Sequence, residues 1–276
     1  MKIDCECGAN VLFFSYFQLM DLILLIAVSF GASWLTFFCG FGLGTMLTPV
    51  FYLLFKDMTL AIAATAIVHF LNNVFKFLLM KRNVNWSVAI PFGVAAIPAA
   101  FLGAFLATQI DNQIIYGYEL FGRIMQVDLL NFVFGLILVA FALIELVPAW
   151  SIAFSKKSLW LGGLISGFFG GLSGHQGALR TAFLIKYNLK KEVFIATGIM
   201  VALVIDVVRT SVYATSFDYA AISENWWLIL LSLIGALVGA ITGKLFLKKI
   251  KLEMLNVVVA IAMLVFGVTL AGGILN

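Results

Sequence analysis

The 276-residue chain is 63% hydrophobic and 11% charged, with a formal net charge of +4. Soluble domains carry about 25% charged residues, so this composition excludes a water-soluble fold, and so small a basic excess, spread over connecting loops, gives no basis for nucleic-acid binding. Cys5, Cys7 and Cys39 make no disulfide framework, and a lone Cys-x-Cys with two distant histidines makes no metal cluster, so neither metal nor other cofactor is expected.

The first twenty residues carry Asp4 and Glu6 against Lys2 alone, the wrong sign for the basic start of a cleavable signal peptide, and none is expected. Apolar runs follow at 19–39, 61–80, 88–110, 129–147, 226–241 and 254–270. These approach or exceed the roughly 20 residues that a helix needs to cross a bilayer. The chain reads as an all-α polytopic membrane protein.

Sliding the sequence against itself gives a match at an offset of 132. Gly42 falls on Gly174, Phe51 on Phe183, Ala64-Thr65 on Ala196-Thr197, and Gly103-Ala104 on Gly235-Ala236. The expected organisation is two inverted repeats, 1–150 and 151–276, each a re-entrant helical hairpin plus three transmembrane helices. In the first, the hairpin covers about 19–55 and the helices about 59–80, 87–110 and 128–147. In the second, the hairpin covers about 159–187 and the helices about 190–215, 225–247 and 253–273. Transporters are often built from such repeats, with the substrate at their interface.

Length argues for the hairpins. On either side of Ser173-Gly174, the limbs Leu159–Gly171 and His175–Tyr187 are each about 20 Å long at 1.5 Å per residue, short of a 30 Å hydrocarbon core. The first hairpin turns at "FCGFGLGT"; its limb Gly44–Phe55 is equally short, whereas Leu19–Cys39 is long enough to span alone. With hairpins, the loops sort by sign. Lys81, Arg82, Lys156, Lys157, Lys186, Lys190, Lys191, Lys244, Lys248, Lys249 and Lys251 fall on one side. Asp4, Glu6, Asp21, Asp57, Asp111, Glu119, Asp128, Asp218 and Glu224 fall on the other, against Lys2, Lys56 and Arg123 there and Glu192 and Glu253 on the basic side. If the broken segments crossed once each, this separation would vanish. The basic side is therefore read as cytoplasmic, with both termini periplasmic.

The two tips then face each other near the midplane, with the N-termini of their second limbs pointing inward. Free N–H groups and the helix dipole favour an anion there, and glycine lets backbone approach it closely. The expected substrate-binding residues are Gly42, Gly44 and Thr45 at one tip and Gly174, His175, Gln176 and Gly177 at the other. Arg180 adds a guanidinium suited to an oxyanion. The pathway is expected to be lined by Thr65, His69, Asn72, Asn73 and Lys76, a polar stripe at helical spacing, and by Thr197, Asp206 and Arg209 in the second repeat.

Plainer readings stand beside these. Lys76 is near enough to a helix end to reach the interface, and Asp206 and Arg209, at i and i+3, can pair structurally. Arg180 can serve a structural pair, and the tip glycines can serve turns alone. His69 either bonds across helices or relays protons. Gly235, Gly239 and Gly243 read as close helix packing, and Pro91 and Pro98 as a bend. No HExxH, P-loop or GxSxG occurs, and no enzyme is expected.

Three stretches, "GFGLGTMLTPVFYLLF", "AIAATAIVHFLNN" and "GLISGFFGGLSGHQGALRTAFLIKYNLKKEVFIATG", resemble the two glycine-rich repeats of the TauE/SafE sulfite exporter family, and the resemblance runs from about Leu19 to Leu275. It implies a bacterial inner-membrane carrier of small sulfur-containing anions, such as sulfite or sulfonates, or of related organic acids. It also implies that Gly42, Gly44, Gly174 and Gly177 are site backbone. The family's second tip is richer in consecutive glycines and is followed by a proline, as at Thr48-Pro49 here; this chain instead has Gln176, Arg180 and Thr181 in that region.

The expected function is secondary transport of a small anion by alternating access, with membrane lipid and a coupling H+ or Na+ as partners and the oligomeric state left open. The alternatives are a non-transporting scaffold or assembly protein and an anion channel. In a background without native cysteines, Lys81→Cys and Lys190→Cys should react with a membrane-impermeant maleimide from the cytoplasmic side only, and Asp57→Cys and Asp218→Cys from outside only. Labelling of positions 81 and 190 from opposite sides rejects the hairpin topology.

Overall fold

The computed structural model describes residues 4–39, 43–110, 113–120, 122–146, 158–216, 218–246 and 253–274. Helix α1 (Asp4–Cys39) precedes the short α2 (Leu43–Phe55), then α3 (Met58–Met80) and α4 (Trp86–Thr108). Strands β1 (Ile114–Leu120) and β2 (Arg123–Asp128) lead to α5 (Leu129–Leu146). The second half holds α6 (Leu159–Ser173), α7 (Gly177–Leu184), α8 (Lys191–Tyr213), α9 (Tyr219–Glu224), α10 (Trp226–Phe246) and α11 (Glu253–Ala271). Among the described residues, six helices are long and apolar enough to cross a membrane: α1 through 19–37, α3, α4, α5, α8 and α10. This is an integral membrane protein.

Local chemistry sets several boundaries. Asp57, in extended backbone, accepts a hydrogen bond from the Leu60 amide at 2.9 Å and starts α3. Asp218 does the same for α9 through Ala221 at 3.1 Å. Pro91 and Pro98 both lie inside a continuous α4. The limb expected over His175–Tyr187 is an eight-residue helix followed by a 3-10 turn at Ile185–Tyr187, which Asn188 ends with φ 49°.

The fold is not wholly helical. The sequence reading supplied no strand, yet β1 and β2 form an antiparallel hairpin with Gly122 at φ 74° in its turn. The segment carries glycines and β-formers such as Ile114, Ile115, Tyr116, Tyr118 and Ile124, a hairpin signal that the surrounding helical composition masked.

Helices α4 and α6 pack closely and in parallel, as do α1 and α10. In both pairs glycines make the contact possible. On α6, Gly163, Gly167 and Gly171 lie against the carbonyls of Phe92, Ala96 and Ala100, and a Cβ on Gly167 would stand 2.5 Å from the Ala96 oxygen. On α10, Gly235 and Gly239 face the carbonyls of Ile26 and Phe30, while Gly243 faces Phe37. Ser29 and Ser232 add an interhelical hydrogen bond of 2.8 Å. The glycine series on α10 thus serves close packing.

Helices α3 and α8 run antiparallel, and so do α5 and α11, where Gly135 meets Gly267 and Ala271. At one end of the bundle the Asn85 amide donates to Thr197 Oγ1 at 3.0 Å, and Lys244 Nζ donates to the Leu79 carbonyl at 3.1 Å. These contacts gather Lys81, Arg82, Lys190, Lys191 and Lys244 at that end. Lys156, Lys157, Lys248, Lys249 and Lys251 lie outside the described residues. At the opposite end Tyr118 Oη donates to the Gly272 carbonyl at 2.7 Å, tying the β-hairpin to α11. A largely apolar pocket there, about 220 Å³, is lined by Thr59, Ile62, Thr108, Phe134, Tyr213 and Ser216 among others.

Backbone-to-backbone packing makes a directional prediction. Gly167→Ala should lower the thermal unfolding midpoint of detergent-solubilised protein, by the roughly 1–3 kcal/mol typical of overpacking. Gly31→Ala on α1, where an added Cβ meets nothing within 4 Å, should leave the midpoint level or raise it, since alanine favours helix by roughly 0.5–1 kcal/mol.

Candidate functional site

The end of α6 is shaped by Gly174, which adopts the left-handed conformation at φ 80° while its N–H donates to the Gly170 carbonyl at 3.0 Å. A second constraint acts there: any Cβ on Gly174 would collide with Arg209 Nη1. Gln176 precedes α7 in helical backbone and does not cap it with its side chain, leaving the first-turn N–H groups of α7 without a side-chain acceptor from that position. Ser166 Oγ donates to the Gln176 carbonyl at 3.2 Å and holds the turn onto α6. The His175 ring stacks on Phe141, with centroids 6.0 Å apart. Both ring nitrogens of His175 and both amide atoms of Gln176 are buried without a hydrogen-bond partner among the described residues.

Arg180 sits on the next turn of α7, 3% exposed, across from Gly198 of α8. A Cβ at position 198 would lie 3.2 Å from Arg180 Nε, so glycine gives the guanidinium its room. The 132-residue offset contains this signal: it pairs Arg180 with Thr48 and Gly198 with Ala66, a larger side chain facing a smaller one. The sequence reading did not include Gly198.

Lys76 does not reach the interface. It is 2% exposed and turned toward α1, where Nζ donates to the Ser33 carbonyl at 3.1 Å and to Thr36 Oγ1 at 2.7 Å. With the Asn72 amide oriented so that donors meet acceptors, its oxygen accepts from Lys76 Nζ at 3.1 Å and its nitrogen donates to the Ala236 carbonyl at 3.3 Å. Three acceptors satisfy the three ammonium hydrogens.

Asp206, fully buried, is the focus of a second network. Its Oδ2 lies 2.7 Å from His69 Nδ1 and accepts from Asn73 Nδ2 at 2.6 Å, while Oδ1 lies 3.2 Å from Arg209 Nη2. The i,i+3 pair expected within α8 is present, and it extends across to α3.

Gly44, Thr45, Gly174, His175, Gln176, Gly177 and Arg180 line one small cavity together with His69, Asn73 and Lys76. Its volume is about 40 Å³, room for roughly three water-sized groups. The lining on α8 runs over Phe194–Ala202, its N-terminal half, so the cavity extends from the bundle's middle toward the basic end. Gly42 lies outside the described residues. Thr65, Asn72, Thr197, Asp206 and Arg209 do not line this cavity: Thr65 accepts from Thr48 Oγ1 at 3.2 Å beside Gly44, and Thr197 binds Asn85 at the basic end. Thr36 and Thr181 line it without having been expected. Among the described residues no group of three or more His, Cys, Asp or Glu is placed to hold a metal ion.

A family model described as sulfite exporter TauE/SafE matches residues 25–270. Searches of curated proteins and of solved structures gave no match.

The double constraint on Gly174 is testable by thermal unfolding. Gly174→Ala should lower the midpoint, from a left-handed penalty of roughly 1–2 kcal/mol plus the collision with Arg209. Gly174→Asn, which tolerates left-handed backbone, should do no better, because the collision remains; recovery by Asn would mean that conformation alone matters.

Proposed function

The chain belongs to the TauE/SafE sulfite exporter family, whose members are membrane transporters and not enzymes, and on that premise we propose that it is a secondary carrier of one small oxyanion, sulfite or an organosulfonate first among them, working by alternating access. One observation carries the reading. Residues from both glycine-rich turns, Gly44 and Thr45 with Gly174 to Gly177, line the same cavity as Arg180 and Lys76, with no carboxylate among the described lining residues. In a desolvated site of this kind, backbone N–H groups and a guanidinium are strong ligands for an oxyanion.

The inverted-repeat architecture is part of the proposal. Helices related by the 132-residue offset, such as α3 and α8, run antiparallel, and the parallel pair α4–α6 has α10–α1 as its counterpart. Such a relation gives a carrier two exchangeable conformations of similar energy. The remaining parts of the reading are a bacterial inner membrane with both termini periplasmic, lipid around the apolar faces, and a coupling cation, H+ or Na+.

The test is flux into proteoliposomes, with sulfite, methanesulfonate, taurine and acetate as a panel. Saturable flux of at least one sulfur anion is expected, falling at least tenfold in Arg180→Ala and partly restored in Arg180→Lys. Flux that fails to saturate and shows no counter-transport acceleration would mean a channel. No flux with any anion, from protein that unfolds cooperatively on heating, would mean a scaffold.

A further inference from the structure

We infer that the His69–Asp206 pair is a proton-binding site and that its proton travels with the anion. This rests on the carrier reading and names its coupling ion. The chain has two histidines, and both line the cavity, in unlike settings. His175 lies nearly parallel to the Phe141 ring, with neither nitrogen hydrogen-bonded among the described residues. His69 instead places Nδ1 on the Asp206 carboxylate at 2.7 Å. That leaves Nε2, which has no hydrogen-bond partner among the described residues, as the nitrogen that can serve the cavity. The adjacent Cδ2 lies 3.8 Å from where a Cβ of Gly44 would stand, on the second limb of the first hairpin.

Imidazole is the side chain whose chemistry suits proton uptake and release between pH 5 and 8. A proton on Nε2 makes the ring a cation with Asp206 as its counter-ion, and it presents an N–H to the anion cavity; its release withdraws both. The other groups that face this ring are Asn73 and Lys76 from α3, Asp206 and Arg209 from α8, and His175 and Arg180 from the second hairpin. Among the described residues, three basic side chains, Lys76, Arg180 and Arg209, stand near one carboxylate, Asp206.

Position couples the proton to access. Along α8 the cavity takes 194–202, the polar layer takes Asp206 and Arg209, and the opposite pocket takes Tyr213 at the helix end. Along α3 the same order runs from Lys76 and Asn73 through His69 to Ile62 and Thr59. The proton site thus borders the cavity and lies in the layer between it and the opposite pocket, where a proton could load from one side and unload to the other. Sodium fits poorly: hard cations require several free oxygen ligands, whereas Asp206 Oδ2 is taken by His69 and Asn73 and Oδ1 faces the Arg209 guanidinium, whose positive charge repels a metal cation.

Two measurements test this. The first is ¹⁵N-histidine NMR in nanodiscs from pH 5 to 8.5, with His175→Asn and His69→Gln used only to assign the two rings. His69 Nε2 should gain and lose a proton within that range, and its midpoint should move upward when methanesulfonate or sulfite is added. A ring that keeps one form throughout, or titrates identically with an anion the flux assay shows to be carried, overturns the inference. The second is uptake of methanesulfonate, which stays ionised throughout, and of sulfite corrected for protein-free vesicles. One pH unit, acid outside, should give roughly tenfold accumulation at one proton per monovalent anion, abolished in His69→Gln. Flux that ignores the gradient overturns proton coupling while the carrier stands; absence of any flux from folded protein removes the carrier reading itself.

Discussion

Asp206 has no contact with solvent, and a charge at such depth costs several kcal/mol unless donors surround it. The surroundings supply hydrogen bonds from His69 and Asn73 on α3 and a counter-charge from Arg209 on α8 itself. Arg209 is in turn pressed against Gly174, so the carboxylate's partner also defines the space beside the second hairpin's turn. One need, to neutralise a buried carboxylate, therefore ties α3, α8 and α6 together. Lys76 meets the corresponding need for a cation in the first half by binding Ser33, Thr36 and Asn72, which joins α3 to α1. In a lipid-surrounded protein, where apolar side chains gain little by leaving lipid for one another, such polar ties and close backbone contact supply much of the specificity.

The glycines divide into groups with different work. Gly163, Gly167 and Gly171 bring α6 onto the backbone of α4, and Gly235, Gly239 and Gly243 do the same for α10 on α1. Gly174 answers to backbone conformation and to Arg209 together, and Gly198 answers to the volume of Arg180. Two glycines of "GFFGGLSGHQGALR", Gly167 and Gly171, are thus needed for packing two helices before any ligand is considered. A glycine-rich tip combines close helix approach, a left-handed turn and exposed N–H groups in very few residues, and these needs do not compete, because each falls on a different glycine.

What was legible in the sequence had a period or a length behind it. The long apolar runs gave helices such as α3 and α4 within a few residues, and the polar stripe of α3 placed His69, Asn73 and Lys76 on one cavity. The partners across space were not legible. Nothing local says that Asn72 meets Ser33 and Ala236, or that Lys76 turns toward α1, because such contacts depend on which helices become neighbours. The β-hairpin was missed for another reason: a two-stranded unit of short strands is weak against a background of runs that favour helix. Gly198 was within reach, since the repeat offset aligns it with Ala66, but its meaning depends on knowing that Arg180 points at it.

The order of layers along α8 bears on how the site opens. Tyr213 Oη donates to the carbonyls of Gly171 and Leu172, at 2.8 and 2.9 Å, and so satisfies groups at the end of α6 that the helix itself leaves unpaired. One turn inward Arg209 meets Gly174, and beyond it Asp206 meets His69. Displacing the second turn from α8 must therefore break Tyr213's hydrogen bonds, and moving α3 from α8 must separate His69 and Asn73 from Asp206. Neither loss is tolerable in a dry interior without replacement partners. An opening on this side requires that water reach these groups or that an exchanged proton change what His69 offers to Asp206 and the cavity. His69 and Asn73 belong to both the layer and the cavity, since they bind Asp206 and line the cavity beside Arg180, so a change at either bears on the other.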